Sequence, residues 1–411
     1  MHLMMMKKSL DQLAYHEQQK YFRETLVLPW NIDENLQFKL VSNIDEYLEA
    51  SKLMHDIDVQ NNKMNPDPKG FKILAHDLLP STIIAIAKYK GKIISTMTLI
   101  RDNPLGLPME LYHDLSTIRQ NGEIICELSS PYFHHDFLHM EEQVIYPFMR
   151  YLWKYAYEWY GVDYITVSSH PSMKNFFESI FLFQPIPNPK KGTIKSVALY
   201  NPIKTSYQNF KNCYGSSQNI LNNLYLYMQN SHTKCDYYPN FEYFQIRNNY
   251  LNPNFILNLK DQVTDFDQRF DEKTKSIIAN KLGFYSYDKI GLASPERLRF
   301  DMNGLATIST PFGEHSFLAK VLDISKEGLK IHLFGSEALN FDTPSLLLKI
   351  QLGPNPNTRS SIIAEPKWHN SKGQVGFKVK AKDAEWFRLI MNMKKATDNL
   401  QLYDLQNNLS A

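Results

Sequence analysis

One carboxylate sits in this sequence where apolar residues are expected. The run from Glu123 to Leu128 (EIICEL) reads as a buried strand, and Glu127, one residue from its end, is a charge that needs a reason to be there. Two β-branched runs precede it, Ser81 to Lys88 and Lys92 to Ile100, separated by Tyr89, Lys90 and Gly91 in the manner of a hairpin. A long helical pattern follows from about Met140 to Tyr160, in which Ile145, Phe148, Leu152, Ala156 and Trp159 recur at helical spacing and Pro147 predicts a bend.

Around this centre the pattern alternates. A strand is expected near Phe38 to Val41. A helix is expected from Asp45 to about Val59, with Leu48, Leu53, Met54 and Ile57 on one side, ended by the turn-rich NNKMNPDPKG. Gly161 to Ser168 reads as a strand, Pro171 to Phe181 as a helix with proline at its start, and Thr193 to Tyr200 as a closing strand. Residues 1–35 read as an N-terminal arm with an amphipathic helix from Ser9 to Glu24. Residues 201–290 carry helical patterns at Gln218 to Met228 and Glu272 to Leu282, and read as a helical extension or a connector. From 291 to 398 the pattern changes to short alternating strands with turns, the signature of a small all-β barrel, here with a C-terminal helix.

Within the first region Asp102, then Gly106, Leu107 and Pro108, then Arg119, then a strand reading Glu127, Leu128, Ser129 fall in a fixed order between the hairpin and the long helix. Over residues 36–200 this order resembles the N-acyl amino acid synthases of the FeeM type, acyltransferases on the GNAT fold related to the autoinducer synthases. The resemblance implies an α/β (α+β) fold whose central strands part to admit an acyl thioester. It implies Glu127 as the base that takes the ammonium proton, backbone N–H groups around Ser129 as donors to the oxyanion, and Arg101 or Arg119 as the anchor for an amino acid carboxylate. Gly106 and Pro108 would shape a loop over the groove. Ser130 stands where the family carries an arginine. Read without the family, Glu127 is a carboxylate paired with Arg101 or Arg119 to stabilise the sheet, and the GLP triplet is an ordinary turn.

The donor is narrowed by an absence. Coenzyme-A-dependent relatives set a glycine-rich loop and a helix N-terminus against the pyrophosphate. The corresponding segment here, YFHHDFLHMEE, has no glycine, which favours the acyl-phosphopantetheine of an acyl carrier protein, with Lys154, Lys174 and Lys190 as candidate docking charges. Cys126 beside Glu127 invites an acyl-cysteine reading, but adjacent strand residues point to opposite faces, so a Glu127 facing the cleft leaves Cys126 in the core. His135, His139 and Glu142 share helical spacing without an evident further ligand, and no metal or tightly bound cofactor is expected.

In the last region, ERLRFDMNG, then DISKEG, then Trp368 before a turn and the pair Gly376 and Phe377 resemble a PilZ domain, the bacterial receptor module for cyclic diguanylate. The resemblance assigns ligand contacts to Arg299, to Asp323, Ser325 and Gly328 of the DxSxxG segment, and to Arg297. The position four before Arg299, where the family places its first arginine, is Pro295.

Composition fits this picture. At 411 residues, 43% apolar, the chain is long enough for two cores, and 45 basic against 43 acidic residues leave a net charge of +2, which gives no reason to expect a nucleic acid polymer as partner. No run approaches the roughly 18 apolar residues of a membrane span. The N-terminus lacks the apolar core of a signal peptide, and three cysteines form no paired framework, so a cytoplasmic location is expected. The expected function is transfer of a fatty acyl group from acyl carrier protein to an amino acid, with cyclic diguanylate as a candidate regulator. The alternative is a non-catalytic effector or scaffold that binds cyclic diguanylate or a protein partner.

Overall fold

The computed structural model describes residues 14–120, 122–129, 131–169, 171–186, 197–215, 219–229, 246, 248, 250–263, 268–282, 298–309, 316–334, 345–353 and 358–393. The chain divides into two compact units. One is built on the segment up to 73 with 83–119 and 123–238, the other on 239–411 with the short segments 74–82 and 120–122.

The first unit is a mixed sheet flanked by helices. Helix α1 (Tyr15–Glu24) precedes β1 (Leu36–Leu40), and α2 (Ile44–Gln60) starts at Asn43, whose side chain accepts the Glu46 N–H. The hairpin β2 (Thr82–Tyr89) and β3 (Lys92–Arg101) turns through Lys90 and Gly91, with φ 49° and 84°, the left-handed pair that matches the twist of adjoining strands. Then come β4 (Ile125–Leu128), β5 (Tyr132–Phe133), α3 (Glu141–Glu158), β6 (Tyr164–Ser169), α4 (Lys174–Ile180), β7 (Gln184–Pro185) and β8 (Val197–Pro202). The strands run β1-β2-β3-β4-β6-β8-β7, with β5 also on β3. The α/β expectation is met, and α3 continues as one helix through Pro147.

Two local readings change. The expected Leu53 and Met54 are buried on α2, but with Tyr47, Ala50, Ser51, His55 and Asp58, while Leu48 and Ile57 are only half-buried. The polar members are inside because the returning segment bonds them. Ser51 donates to the Lys72 carbonyl at 2.7 Å, His55 Nε2 accepts the Asp67 N–H at 3.0 Å, and Lys72 donates to Asp58 at 2.6 Å. The N-terminal helix is not a free arm. It lies on α4, where Tyr15 donates to Glu178, Asn175 to Gln18 at 3.2 Å, and Arg23 to the Ser179 carbonyl at 3.4 Å. Residues 9–13 of the expected helix lie outside the described residues.

The sheet parts at one end. Strand β4 pairs antiparallel with β3 and parallel with β6, from Ile125 opposite Tyr164 to Leu128 opposite Val167. Beyond that point the β4 chain stays with β3, through Ser129 N–H to Thr98 O at 2.8 Å and Tyr132 opposite Thr96, whereas β6 stays with β8 through Ser168–Ala198 and Ser169–Val197. Glu127 is the last but one paired residue before this parting.

Helices α5 (Ile203–Tyr214) and α6 (Leu224–Gln229) complete the first unit, and α7 (Pro253–Gln262) and α8 (Glu272–Leu282) belong to the second. The second unit is centred on a closed antiparallel barrel of six strands: β9 (Phe300–Ser309), β10 (Ser316–Ser325), β11 (Gly328–Leu333), β12 (Leu346–Gln351), β13 (Arg359–His369) and β14 (Gln374–Lys382). Around the barrel they run β10-β11-β14-β13-β12-β9. Inward residues alternate along β9 and β12, as the sequence pattern required, and with residues of the other strands give a core that includes Met302, Ile308, Val321, Ile331, Leu348 and Ile350. A last helix, 384–393, adds Trp386 to that core, its N–H held by Asp383 at 2.8 Å. No helix among the described residues is long and apolar enough to cross a membrane.

Trp386 is 0% exposed. Its replacement by alanine is expected to cost about 3–5 kcal/mol of barrel stability, measured as a lowered denaturant midpoint of the second unit's transition.

Candidate functional site

The loop after β3 is built to meet Glu127. Gly106 takes φ +77°, which favours glycine, and a Cβ there would lie a tight 3.1 Å from Glu110 Oε2. Pro108 then opens the 3-10 turn Pro108–Leu111, and Glu110 accepts the Leu107 N–H at 2.7 Å. This presents the Met109 N–H to Glu127 Oε2 at 2.8 Å. Around them lie Ile100, Leu107, Leu115, Ile118, Ile125 and Ala198, with Tyr164 and Tyr200 packed alongside.

Glu127 is 8% exposed. Burial pushes its carboxyl up to about 7; the Met109 N–H opposes the rise and the charge of Glu110 adds to it. A carboxyl held near neutrality in a sheet that parts beside it has the properties of a proton acceptor that can also give its proton back.

Register decides which expected partners can reach it. Ile100 lies opposite Glu127 and Arg101 opposite Cys126, so Arg101 and Cys126 share the other face of the sheet. Arg101 is buried there, its Nε donating to the Tyr160 carbonyl at 2.9 Å, and the position does not offer it to a substrate carboxylate beside Glu127. Cys126 is fully buried, its thiol pushed well up by that burial, which makes it a core residue rather than a nucleophile.

Arg119 does reach this loop, already engaged. It donates to Asp102 at 2.5 and 3.3 Å and to Glu110 at 2.5 and 2.9 Å. Ser129 is beside the parting, but its N–H goes to Thr98 O at 2.8 Å and its Oγ accepts the Thr98 N–H at 2.8 Å, which takes the Ser129 amide out of the expected oxyanion role. Ser130 lies outside the described residues. Asp102, which the sequence reading used only as part of a motif, proves central: its carboxylate also takes the Ile125 N–H at 2.8 Å. The sign of this in the sequence was an aspartate one residue past a strand, free to bond back to its neighbour.

The helical spacing of His135 and His139 is not realised, because His135–Met140 is a 3-10 stretch interrupted at Phe137. His134, His135 and Asp136 do converge, but they sit at the surface, with Asp136 3.6 Å from His134 Nδ1 and 2.9 Å from His135 Nε2 and Lys92 Nζ 3.0 Å from His134 Nε2.

The barrel carries a groove of about 850 Å³ lined by Arg299, Asp323, Ser325, Gly328, Lys330 and Trp368, among others. Two bulges shape it. The register slips between Val321 and Asp323 and again between Pro366 and Trp368, each slip re-aiming the side chain that follows. Asp323 meets Arg299 Nε at 2.7 Å, and Ser325 Oγ donates to the Gly328 carbonyl at 3.2 Å. Trp368 lies against Gly376, where a Cβ would come 2.1 Å from the indole nitrogen, and leaves 46% of its own surface exposed. Lys330 stands 5.9 Å from the centre of that ring. Arg299, Asp323, Ser325 and Gly328 are thus brought together; Arg297 and Pro295 lie outside the described residues.

Because the Glu127 carboxyl is raised in the folded protein, that state holds the proton more tightly than the unfolded chain, and folding stability falls as pH climbs from about 4.5 to about 7. Glu127→Gln is therefore expected to match wild type near pH 4 and to exceed it above pH 8 by something on the order of 3 kcal/mol, read from thermal unfolding of both proteins across that range.

Residues 49–194 match the family model described as N-acyl amino acid synthase FeeM, in agreement with the resemblance carried by Asp102, the GLP triplet and the Glu127 strand. Among solved structures, FeeM, an N-acyl amino acid synthase from uncultured soil microbes, is similar at 18% identity over 42% of this chain and 93% of that one, with a TM-score of 0.36. BjaI, a CoA-dependent acyl-homoserine lactone synthase, is similar at 13% identity over 47% of this chain and 99% of that one, with a TM-score of 0.35. The PilZ domain of CeSA from a cellulose synthesizing bacterium is similar at 12% identity over 23% of this chain and 97% of that one, with a TM-score of 0.20. A search of curated protein sequences gave no match.

Proposed function

We propose that the first unit, whose residues 49–194 match the FeeM family of N-acyl amino acid synthases, transfers a fatty acyl group from the phosphopantetheine of acyl carrier protein to the amino group of an amino acid. The observation that carries this reading is the position of Glu127: a buried carboxyl of raised pKa, hydrogen-bonded to Met109, at the point where β4 and β6 part.

In the proposed reaction the ammonium proton of the acceptor passes to the Glu127 carboxylate, directly or through a water. The freed amine attacks the thioester carbonyl and the C–N bond forms; collapse of the tetrahedral intermediate breaks the C–S bond, the proton held on Glu127 passes to the leaving thiolate, and the nitrogen gives its second proton to the regenerated carboxylate, from which it leaves to solvent. A group with a pKa near 7 serves both transfers at neutral pH. A carrier-protein donor is supported by the segment leading into α3, which has no glycine, and by the first turn of that helix, which holds Glu141 and Glu142 where a pyrophosphate would need a positive end.

The barrel groove is the proposed receptor site for cyclic diguanylate. Arg299 supplies a fork for phosphate, Asp323 and Ser325 supply acceptors for guanine edges, Trp368 supplies an open face for stacking, and Lys330 adds charge. Regulation follows if the ligand-bound state differs from the free one in its effect on acyl transfer.

Expression of the full chain in a bacterium, with mass spectrometry of the lipids, tests the enzyme reading. N-acyl amino acids are expected with the wild-type chain and are expected to fall by roughly 10²–10⁴ in Glu127→Gln. The rate should rise with pH through about 7 as Glu127 ionises. Folded protein without new lipids would overturn the assignment and favour the non-catalytic effector.

Calorimetric titration of the full chain with cyclic diguanylate tests the groove. Binding is expected, weakened about tenfold or more in Arg299→Ala through loss of a charged hydrogen-bonding fork and weakened in Trp368→Ala; heat unchanged by either substitution would place the ligand elsewhere.

A further inference from the structure

We propose that Arg119 is a positioning residue: its guanidinium, held between Asp102 and Glu110, fixes the loop from 102 to 111 so that the Met109 N–H stays on Glu127. The inference rests on the reading of Glu127 as the base. It reassigns Arg119 from the substrate to the machinery that prepares that base.

The contacts close a circuit through one side chain. Asp102 is the first residue beyond β3, and it is tied to the start of β4 twice, through its N–H to Ile125 O and its carboxylate to Ile125 N–H, both at 2.8 Å. Glu110 is the third residue of the 3-10 turn and caps that turn at the Leu107 N–H. Arg119 bonds both carboxylates, and so links the fixed end of the loop to the turn that carries Met109. The linkage needs a planar group with donors on two edges, which a lysine ammonium cannot supply. A substrate carboxylate at Arg119 would have to displace one of two acids already seated there.

The charge balance gives the arrangement a measurable consequence. Two carboxylates share one guanidinium, and the charge of Glu110 already works against ionisation of Glu127. The other titratable or charged groups around Glu127 are Asp102 and Arg119 in the same cluster, His113 just after the turn, Tyr164 and Tyr200 from β6 and β8, and Cys126 and Arg101 on the opposite face of the sheet. Removing Arg119 unscreens Glu110 and frees the turn to withdraw the Met109 N–H. Both changes disfavour the Glu127 carboxylate, so they act in one direction.

The test is titration of Glu127 itself in the full-length protein without substrates, by infrared difference spectroscopy of the protonated carboxyl band, with Glu127→Gln identifying the band. In Arg119→Gln the midpoint is expected to rise by about one pH unit, a tenfold loss of ionised carboxyl at a given pH. Arg119→Lys, which keeps the charge and can hold Asp102 alone, is expected to shift it less in the same direction, and it decides the matter if the glutamine variant does not fold. Adding Glu110→Gln to Arg119→Gln should return part of the shift. An unchanged midpoint in a folded Arg119 variant overturns the proposal; so does a raised amino acid KM with an unchanged midpoint, which would return Arg119 to the substrate carboxylate. The titration uses no acyl donor or acceptor, so a chain without acyltransferase activity would overturn the proposed function while leaving this measurement able to stand or fall by itself.

Discussion

A sheet that parts between two central strands leaves backbone and side chains there without their usual neighbours, and the first unit is arranged around that defect. Strand β4 keeps β3 as its partner past Leu128 while β6 keeps β8, so each side of the opening is still paired on its outer edge. Glu127 lies one residue before the parting, low in the gap and under the 3-10 turn. Its burial would be unfavourable for a charged group without compensation. A single amide, that of Met109, supplies part of it, and a pKa near 7 supplies the rest by letting the group spend much of its time neutral.

The loop that delivers that amide explains the motif preceding it. Gly106 suits a left-handed residue set close against Glu110, Leu107 is buried beneath the turn, and Pro108 begins it. A triplet that could have been any turn is here a device for aiming one N–H. Its neighbour Asp102 matters as much, since it joins the loop to β4 by two hydrogen bonds and to the turn by way of Arg119.

Much of this was legible from residue order, and the failures have definite causes. The hairpin was readable because two β-branched runs flank a short turn ending in Gly91, which takes positive φ freely, and the barrel because strands such as β9 and β12 alternate between inside and outside. The face of Arg101 was not, because which side it takes depends on the β3–β4 register, a property of two strands and the long loop between them. The buried side of α2 was misjudged because Ser51, His55 and Asp58 are drawn inside by a segment up to 21 residues away, which an apolar count along the helix does not see. The bulges before Asp323 and Trp368 were also invisible: a single extra residue in a strand alters no composition, yet it turns the following side chains toward the groove.

Both units hold an arginine against a carboxylate at the candidate site, and the physics of the two pairs differs. Arg299 has one acid, Asp323, and its side chain is 38% exposed on an open groove, where an ion pair contributes about 0–1 kcal/mol and a phosphate can compete for the fork. Arg119 has two acids, is 19% exposed, and is bonded through four contacts to groups that are themselves bonded to strand and turn. Breaking it strands two carboxylates beside a third, so the guanidinium stays where it is while the chemistry goes on around it. The same residue type is thus displaceable in the barrel and structural in the sheet, and the difference comes from the number of acids that share it and the water that reaches them.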